Sequence, residues 1–177
     1  MSHVMLSYNW DNQELVKKVY TDLTKRGINC WMDIHGGMKV DMMTSMSEGV
    51  EKSAAIIAFC TEKYQNSKNC QTELKYAYTE SIPILPVICD KTYTKPQARG
   101  EEKNAAEWPC GWLGATIAGK IYVDFRKDEF YENSLAALME NIEILTGIKC
   151  GSESEEKVNT LNRVKSLENF KNALDQL

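Results

Sequence analysis

Gly114–Ala–Thr–Ile–Ala–Gly119–Lys120 is one residue short of a loop that cradles phosphates with backbone N–H groups and a lysine. Ile121 stands where such a loop needs a metal-binding Ser or Thr, and the strand-like run that should precede the glycines follows them. The stretch is not read as a nucleotide site. His3 and His35 are the only histidines, and neither joins a serine or cysteine in a recognisable triad, which argues against acyl transfer. The six cysteines (Cys30, Cys60, Cys70, Cys89, Cys110 and Cys150) include no C-x-x-C pair, the spacing that lets a short turn aim two thiolates at zinc. No metal site is expected, and the thiols read as reduced, in a cytoplasmic protein. One segment stands apart: Tyr64–Gln–Asn–Ser67–Lys–Asn69–Cys70–Gln–Thr–Glu73–Leu74–Lys–Tyr–Ala77. A helical glutamate is ordinarily a solvated charge; Glu73 instead falls in register with Cys70 and Ser67.

The elements that must position this segment alternate along the chain. His3–Tyr8 is a short apolar run, and Asp11 or Asn12 can cap a helix with apolar positions Leu15, Val16, Val19, Tyr20 and Leu23. Gly27 ends it after Lys25 and Arg26, which suit the negative end of the helix dipole. Asn29–Asp33 reads as a second strand, followed by a loop with Gly36–Gly37 and a helix around Met43–Lys52. Ala54–Thr61 is almost wholly apolar, as a strand buried on both faces must be. A helix over roughly Cys70–Glu80, a strand at Ile84–Asp90, an irregular stretch over 91–119, a strand at Ile121–Phe125 and a helix ending at Gly147 complete the series. This alternation predicts an α/β fold: a five-stranded parallel sheet with helices on both faces. In such sheets the ligand crevice opens beyond the carboxyl ends of the strands, which directs attention to the segments after Tyr8, Asp33, Thr61 and Asp90. Thr61 closes the third strand where a phosphoacceptor would need Asp, and no G-x-G-x-x-G follows the first strand, so neither a response regulator nor a dinucleotide-cofactor fold is indicated.

Composition narrows the function classes. Apolar residues are 43% of the 177 and charged residues 26%, an ordinary globular balance. A formal charge of -4 provides no broad basic surface for nucleic acid. No apolar run reaches the length needed to span a bilayer, and Met1–Ser2–His3–Val4 carries no charged region leading into a signal peptide. After a Gly/Ser/Glu linker at Cys150–Glu156, Val158, Leu161, Val164, Leu167 and Phe170 recur every three residues, which wraps an apolar stripe broadly around a helix and makes a poor coiled-coil seam. The expected division is a domain over 1–147 and a linker with a helical extension over 148–177.

Five landmarks in order carry a family resemblance. They are Leu6–Ser7–Tyr8 in the first strand, Trp31–Met32–Asp33 closing the second, and the glycine-containing loop behind it. The fourth is the Tyr64–Ala77 segment, with its Tyr-x-x-Ser-x-x-Cys-x-x-Glu-Leu pattern. The fifth pairs Trp112–Leu113–Gly114 with Ile121–Tyr122–Val123–Asp124–Phe125. Together they resemble the Toll/interleukin receptor (TIR) domain over about residues 3–147, in particular its invertebrate immune-type and NAD-cleaving members. The resemblance implies a flavodoxin-like three-layer fold. It also implies one of two functions. Some TIR domains are non-enzymatic scaffolds that recruit other TIR or signalling proteins. Others self-assemble and, in innate-immune-type signalling, cleave NAD+ at the nicotinamide–ribose bond to release nicotinamide and ADP-ribose or a cyclic ADP-ribose. The enzymatic class uses a glutamate on the third helix, and by the resemblance Glu73 is that residue. NAD+ is then the substrate, with no separate cofactor.

The chemistry makes one carboxylate sufficient. Glycosidases need a second carboxyl group to protonate a leaving oxygen, whereas the pyridinium of NAD+ leaves as neutral nicotinamide. What needs stabilising is the positive charge that develops on the ribose, which a carboxylate beneath the sugar does electrostatically. Around it the expected substrate contacts are Tyr8 and Trp10 for ring stacking, with Trp31 as a further aromatic, and Lys39 for a phosphate. Ser67 is expected at a ribose hydroxyl or at the helix cap, Asn69 at the pocket wall, and Cys70 as a further substrate contact. Asn69 stands where many catalytic TIR domains carry tryptophan, so the linear or cyclic nature of the product stays open. The loop Ile34–Met43 is the expected element of homotypic contact.

Overall fold

The computed structural model describes residues 2–33, 42–94 and 108–149, with the backbone alone over 42–45. The expected Lys39, most of the glycine-containing loop and the C-terminal helix lie outside the described residues. Five strands form one sheet: β1 (His3–Ser7), β2 (Cys30–Trp31), β3 (Ser53–Cys60), β4 (Ile84–Ile88) and β5 (Val123–Asp124), in the order β2-β1-β3-β4-β5. Every pairing is parallel, as expected for strands joined by helical crossovers. The order 2-1-3-4-5 is that of the flavodoxin-like fold, and its direction of winding reverses between β1 and β3.

Helices α1 (Gln13–Lys25), α2 (Met42–Glu51), α3 (Glu62–Asn66), α4 (Lys68–Thr79), α5 (Gly111–Ile117) and α6 (Tyr131–Thr146) cover the two faces. On one face Val4, Leu6, Ile57, Phe59, Leu85 and Val87 pack against α1 and α6 through Val16, Val19, Leu23, Leu135 and Leu138. On the other, Met5, Ile56, Ala58, Cys60 and Ile88 pack against α2, α3, α4 and α5 through Val50, Tyr64, Leu74, Ala77 and Leu113. The two-residue period of the strands therefore sorts neighbouring residues into opposite cores. All three inner strands carry apolar side chains on each face, which accounts for the near-continuous hydrophobic runs in the sequence.

Four elements differ from the sequence-based expectation. The edge strands β2 and β5 are only two residues long; each pairs with a single neighbour, β2 at Val4–Met5 of β1 and β5 at Val87–Ile88 of β4. Residues 91–119 are not wholly irregular, because α5 lies within them. Its sequence, GWLGATI, holds two glycines and has weak helix propensity. Tertiary anchors compensate: Trp112 Nε1 donates to the Gln65 carbonyl at 2.8 Å, the Cys110 N–H donates to Gln65 Oε1 at 2.9 Å, and Leu113 is fully buried. Finally, the polar residues after Thr61 form the short helix α3, capped by the Thr61 hydroxyl accepting from the Tyr64 N–H at 3.0 Å. At the far end α6 closes as expected on Gly147, whose φ of +70° is the left-handed conformation that glycine adopts freely.

Candidate active site

Glu73 reaches its place through the local rules of α4. Ser67 is the N-cap, with extended backbone and its hydroxyl accepting from the Cys70 N–H at 3.3 Å, which satisfies one of the donors a helix start leaves free. From that start Cys70, Leu74 and Ala77 form the buried stripe. Glu73 is one turn beyond Cys70 and next to Leu74, so it faces the sheet and is half-buried rather than solvated.

Beneath it lies the carboxyl end of β1. Met5 and Ser7 point to this face while Leu6 points to the other. The Ser7 hydroxyl, 1% exposed, donates to Glu73 Oε2 and stands 2.7 Å from the Tyr64 hydroxyl. Tyr64 itself is fully buried in α3, just past the end of β3. Glu73, Ser7 and Tyr64 thus meet beside the β1/β3 switch point, where sheets of this order hold their ligands.

The electrostatics are unusual for a surface helix. Burial pushes the Glu73 carboxyl up from 4.5 to about 7; the Ser7 hydrogen bond opposes the shift and the Asp33 charge adds to it. Desolvation disfavours the ionised form, and a perturbed carboxyl in a cleft is a mark of functional sites. Cys70, 6% exposed, is pushed up to about 11 chiefly by burial, so it is a neutral thiol at physiological pH and no nucleophile.

The other expected contacts are distributed unevenly. Cys70 adjoins the Glu73 site, its thiol donating to the Tyr8 carbonyl at 3.6 Å. Tyr8 departs from its expected role in ring stacking. It is 7% exposed and packed in the α1/α6 core, and its hydroxyl donates to the Asp33 carbonyl at 2.5 Å and accepts from Gln13 Nε2 at 3.4 Å. The alternation of β1 continues through Tyr8 and turns its ring away from Ser7. Trp31 also departs: it packs on α2, its ring 3.3 Å from where a Cβ on Gly49 would stand, and it stacks on His3 at 6.4 Å between centroids. Trp10, 53% exposed in a 3-10 turn after β1, does present a ring to solvent. Ser67 serves as the helix cap, and Asn69 is exposed. Ser7, Tyr64 and Asp33 were not among the expected site residues. The signal for Ser7 lay in the pattern: a serine in a buried strand needs a hydrogen-bond partner.

A cavity of about 480 Å³ lies elsewhere, lined by Trp108, Pro109, Ile117, Lys120 and Tyr122 among others, and touches none of the Glu73 partners. The P-loop-like glycines border it, but Gly114 is inside α5, where a Cβ would meet the Pro109 carbonyl oxygen at 2.7 Å. That glycine serves close packing instead of phosphate binding.

The family model described as TIR domain matches residues 4–139. The chain belongs to the TIR domain family. Among solved structures, the TIR domain of the Toll-related receptor TRR-2 from Hydra magnipapillata shares the fold at a TM-score of 0.57 and 14% identity, covering 81% of this chain and 99% of that one. The TIR domains of the activated Roq1 resistosome, which directly recognizes the pathogen effector XopQ, align at a TM-score of 0.47 and 16% identity, covering 93% and 99%. No curated protein matches the chain. In this TIR domain no described helix is long and apolar enough to cross a membrane.

Proposed function

We propose that this TIR domain is an NAD+ glycohydrolase or cyclase, activated by self-association, with Glu73 as the catalytic carboxylate. One observation carries the reading: a helical glutamate is desolvated at the ligand end of the sheet and held there by a buried hydroxyl. A charge that served only solubility would face water. Here a carboxyl is held at a cost in desolvation, ionising near pH 7, at the end of the sheet where a cationic ribose would develop. The site holds its dipole in advance of the reaction, so no solvent has to reorganise when the nicotinamide bond breaks. Loss of neutral nicotinamide needs no general acid, which fits a site where the neighbouring thiol and phenols stay protonated. ADP-ribose transfer to water gives the hydrolysis product, and transfer within the ribosyl cation gives a cyclic one.

Incubation of concentrated protein with NAD+, with nicotinamide release as the readout, tests the proposal. Release that disappears in Glu73→Gln supports it; none from an assembled form overturns it. The second reading, a non-enzymatic scaffold for other TIR proteins, is favoured by Asn69, an exposed amide that offers no ring to the pocket wall.

A further inference from the structure

Ser7 and Tyr64 stand in a hydrogen-bonded line whose direction can be deduced. An ionised carboxylate only accepts, so Ser7 commits its single proton to Glu73 Oε2. The Tyr64 hydroxyl, 2.7 Å from Ser7 Oγ, must then donate to Ser7. Burial holds the Tyr64 phenol well above its usual range, and the Glu73 charge adds to the effect, so that proton is present throughout the working pH range. When Glu73 is protonated it becomes a donor, and the line can reverse: Glu73 to Ser7, Ser7 to Tyr64.

Two of the line's three members are anchored. Ser7 is hydrogen-bonded into the sheet opposite Ala58 of β3, and Tyr64 sits in the Thr61-capped turn of α3, its ring against Trp112 at 6.3 Å between centroids. Neither side chain has room to follow a wandering carboxylate. The groups that bear on Glu73 come from every element around it: Tyr8 beside Ser7, Asp33 after β2, Tyr64 on α3 and Cys70 on α4. Cys70 and both tyrosines are neutral. Asp33 acts against ionisation of Glu73, whereas the Ser7 hydroxyl acts for it.

We propose that Tyr64 and Ser7 form a proton-ordered relay that positions Glu73 and sets the fraction of it that is carboxylate, and with it the pH range of NAD+ cleavage. Ser7 and Tyr64 are positioning residues in this account, since neither is required to touch the substrate. The inference rests on the proposed role of Glu73, but its first consequence, the ionisation of Glu73, is measurable without any turnover.

The experiment uses the full chain carrying glutamate labelled with carbon-13 at the side-chain carboxyl. The Glu73 resonance is assigned by its loss in Glu73→Gln and titrated by NMR in wild type, Ser7→Ala and Tyr64→Phe. Ser7→Ala is expected to move the Glu73 midpoint upward by roughly one pH unit or more, the worth of a hydrogen bond to a charged group. Tyr64→Phe, which keeps the ring, moves it in the same direction by less. The acid limb of nicotinamide release moves with each midpoint. A Glu73 midpoint unchanged in both variants overturns the relay. Midpoints that move while wild type releases no nicotinamide at any pH support the relay and overturn the proposed enzymatic function.

Discussion

Cys70 ties α4 to the exit of β1: its thiol donates to the Tyr8 carbonyl oxygen at 3.6 Å, and one helical turn later Glu73 meets Ser7, the residue before Tyr8. The pair acts as a pivot that sets the height of the helix over the strand. Cys70→Ala removes little volume and is expected to cost about 1 kcal/mol, with α4 still seated. Cys70→Leu overfills a closed core, at roughly 1–3 kcal/mol, and lifts Glu73 from Ser7. Thermal melting and nicotinamide release on the same preparations should show a modest stability loss and near-normal cleavage for Cys70→Ala. The leucine variant should lose more cleavage than its stability explains.

Stability against pH follows from the raised Glu73 carboxyl. Its folded value is about 7 against an ordinary 4.5, so between those values the folded chain holds a proton that the unfolded chain has released. Stability therefore falls as pH rises through this window, and the full penalty is present above about pH 7. Glu73→Gln removes the penalty. Denaturant titrations should show the variant more stable than wild type at pH 8, by on the order of 1–3 kcal/mol, with the two curves converging below about pH 5.

The same carboxyl sets an acid limb for the reaction. Only ionised Glu73 stabilises a ribosyl cation, so kcat/KM for NAD+ should rise with pH to a plateau, with its midpoint near the free-protein value of about 7. The bound pyridinium is an opposite charge that favours the carboxylate, so the limb in kcat should lie lower than the limb in kcat/KM. Initial rates of nicotinamide release across pH 5 to 9 at low and saturating NAD+ check both.

The sheet was readable because its strands announce themselves. Ala54–Thr61 and Ile84–Asp90 are apolar runs too short for helices, and the spacing of elements leaves a parallel order as the natural one. The register of Glu73 with Cys70 and Ser67 likewise singled it out on its helix. What sequence left unread were features made by contacts distant along the chain. Burial of Glu73 is completed by Ser7, 66 residues away: at a solvated surface position Glu73→Gln would change stability by no more than about 0.5–1 kcal/mol, whereas the structure predicts a gain. Helix α5 depends on Gln65, 47 residues before Trp112. Tyr8 and Trp31 have the ring type suited to stacking on a nucleotide, but the strand period and the Gly49 contact commit both to packing.

Self-association is part of the proposed mechanism and makes its own prediction. Specific activity should rise with protein concentration and level off once assembly is complete. Parallel sizing by light scattering and rate measurement should show the two curves rising together. Specific activity that is constant down to dilutions holding only monomer contradicts the dependence on assembly.

The most direct test of the central claim is the rate of nicotinamide release from NAD+ by Glu73→Gln, measured on protein whose melting temperature and oligomer size match or exceed those of wild type. The substitution keeps the shape and one accepting oxygen of the side chain but removes its charge. The account predicts a fall of at least about a hundredfold, because the lost interaction exists mainly in the transition state, with NAD+ binding weakened only slightly. A folded, assembled Glu73→Gln protein that cleaves NAD+ at a rate near that of wild type would contradict it.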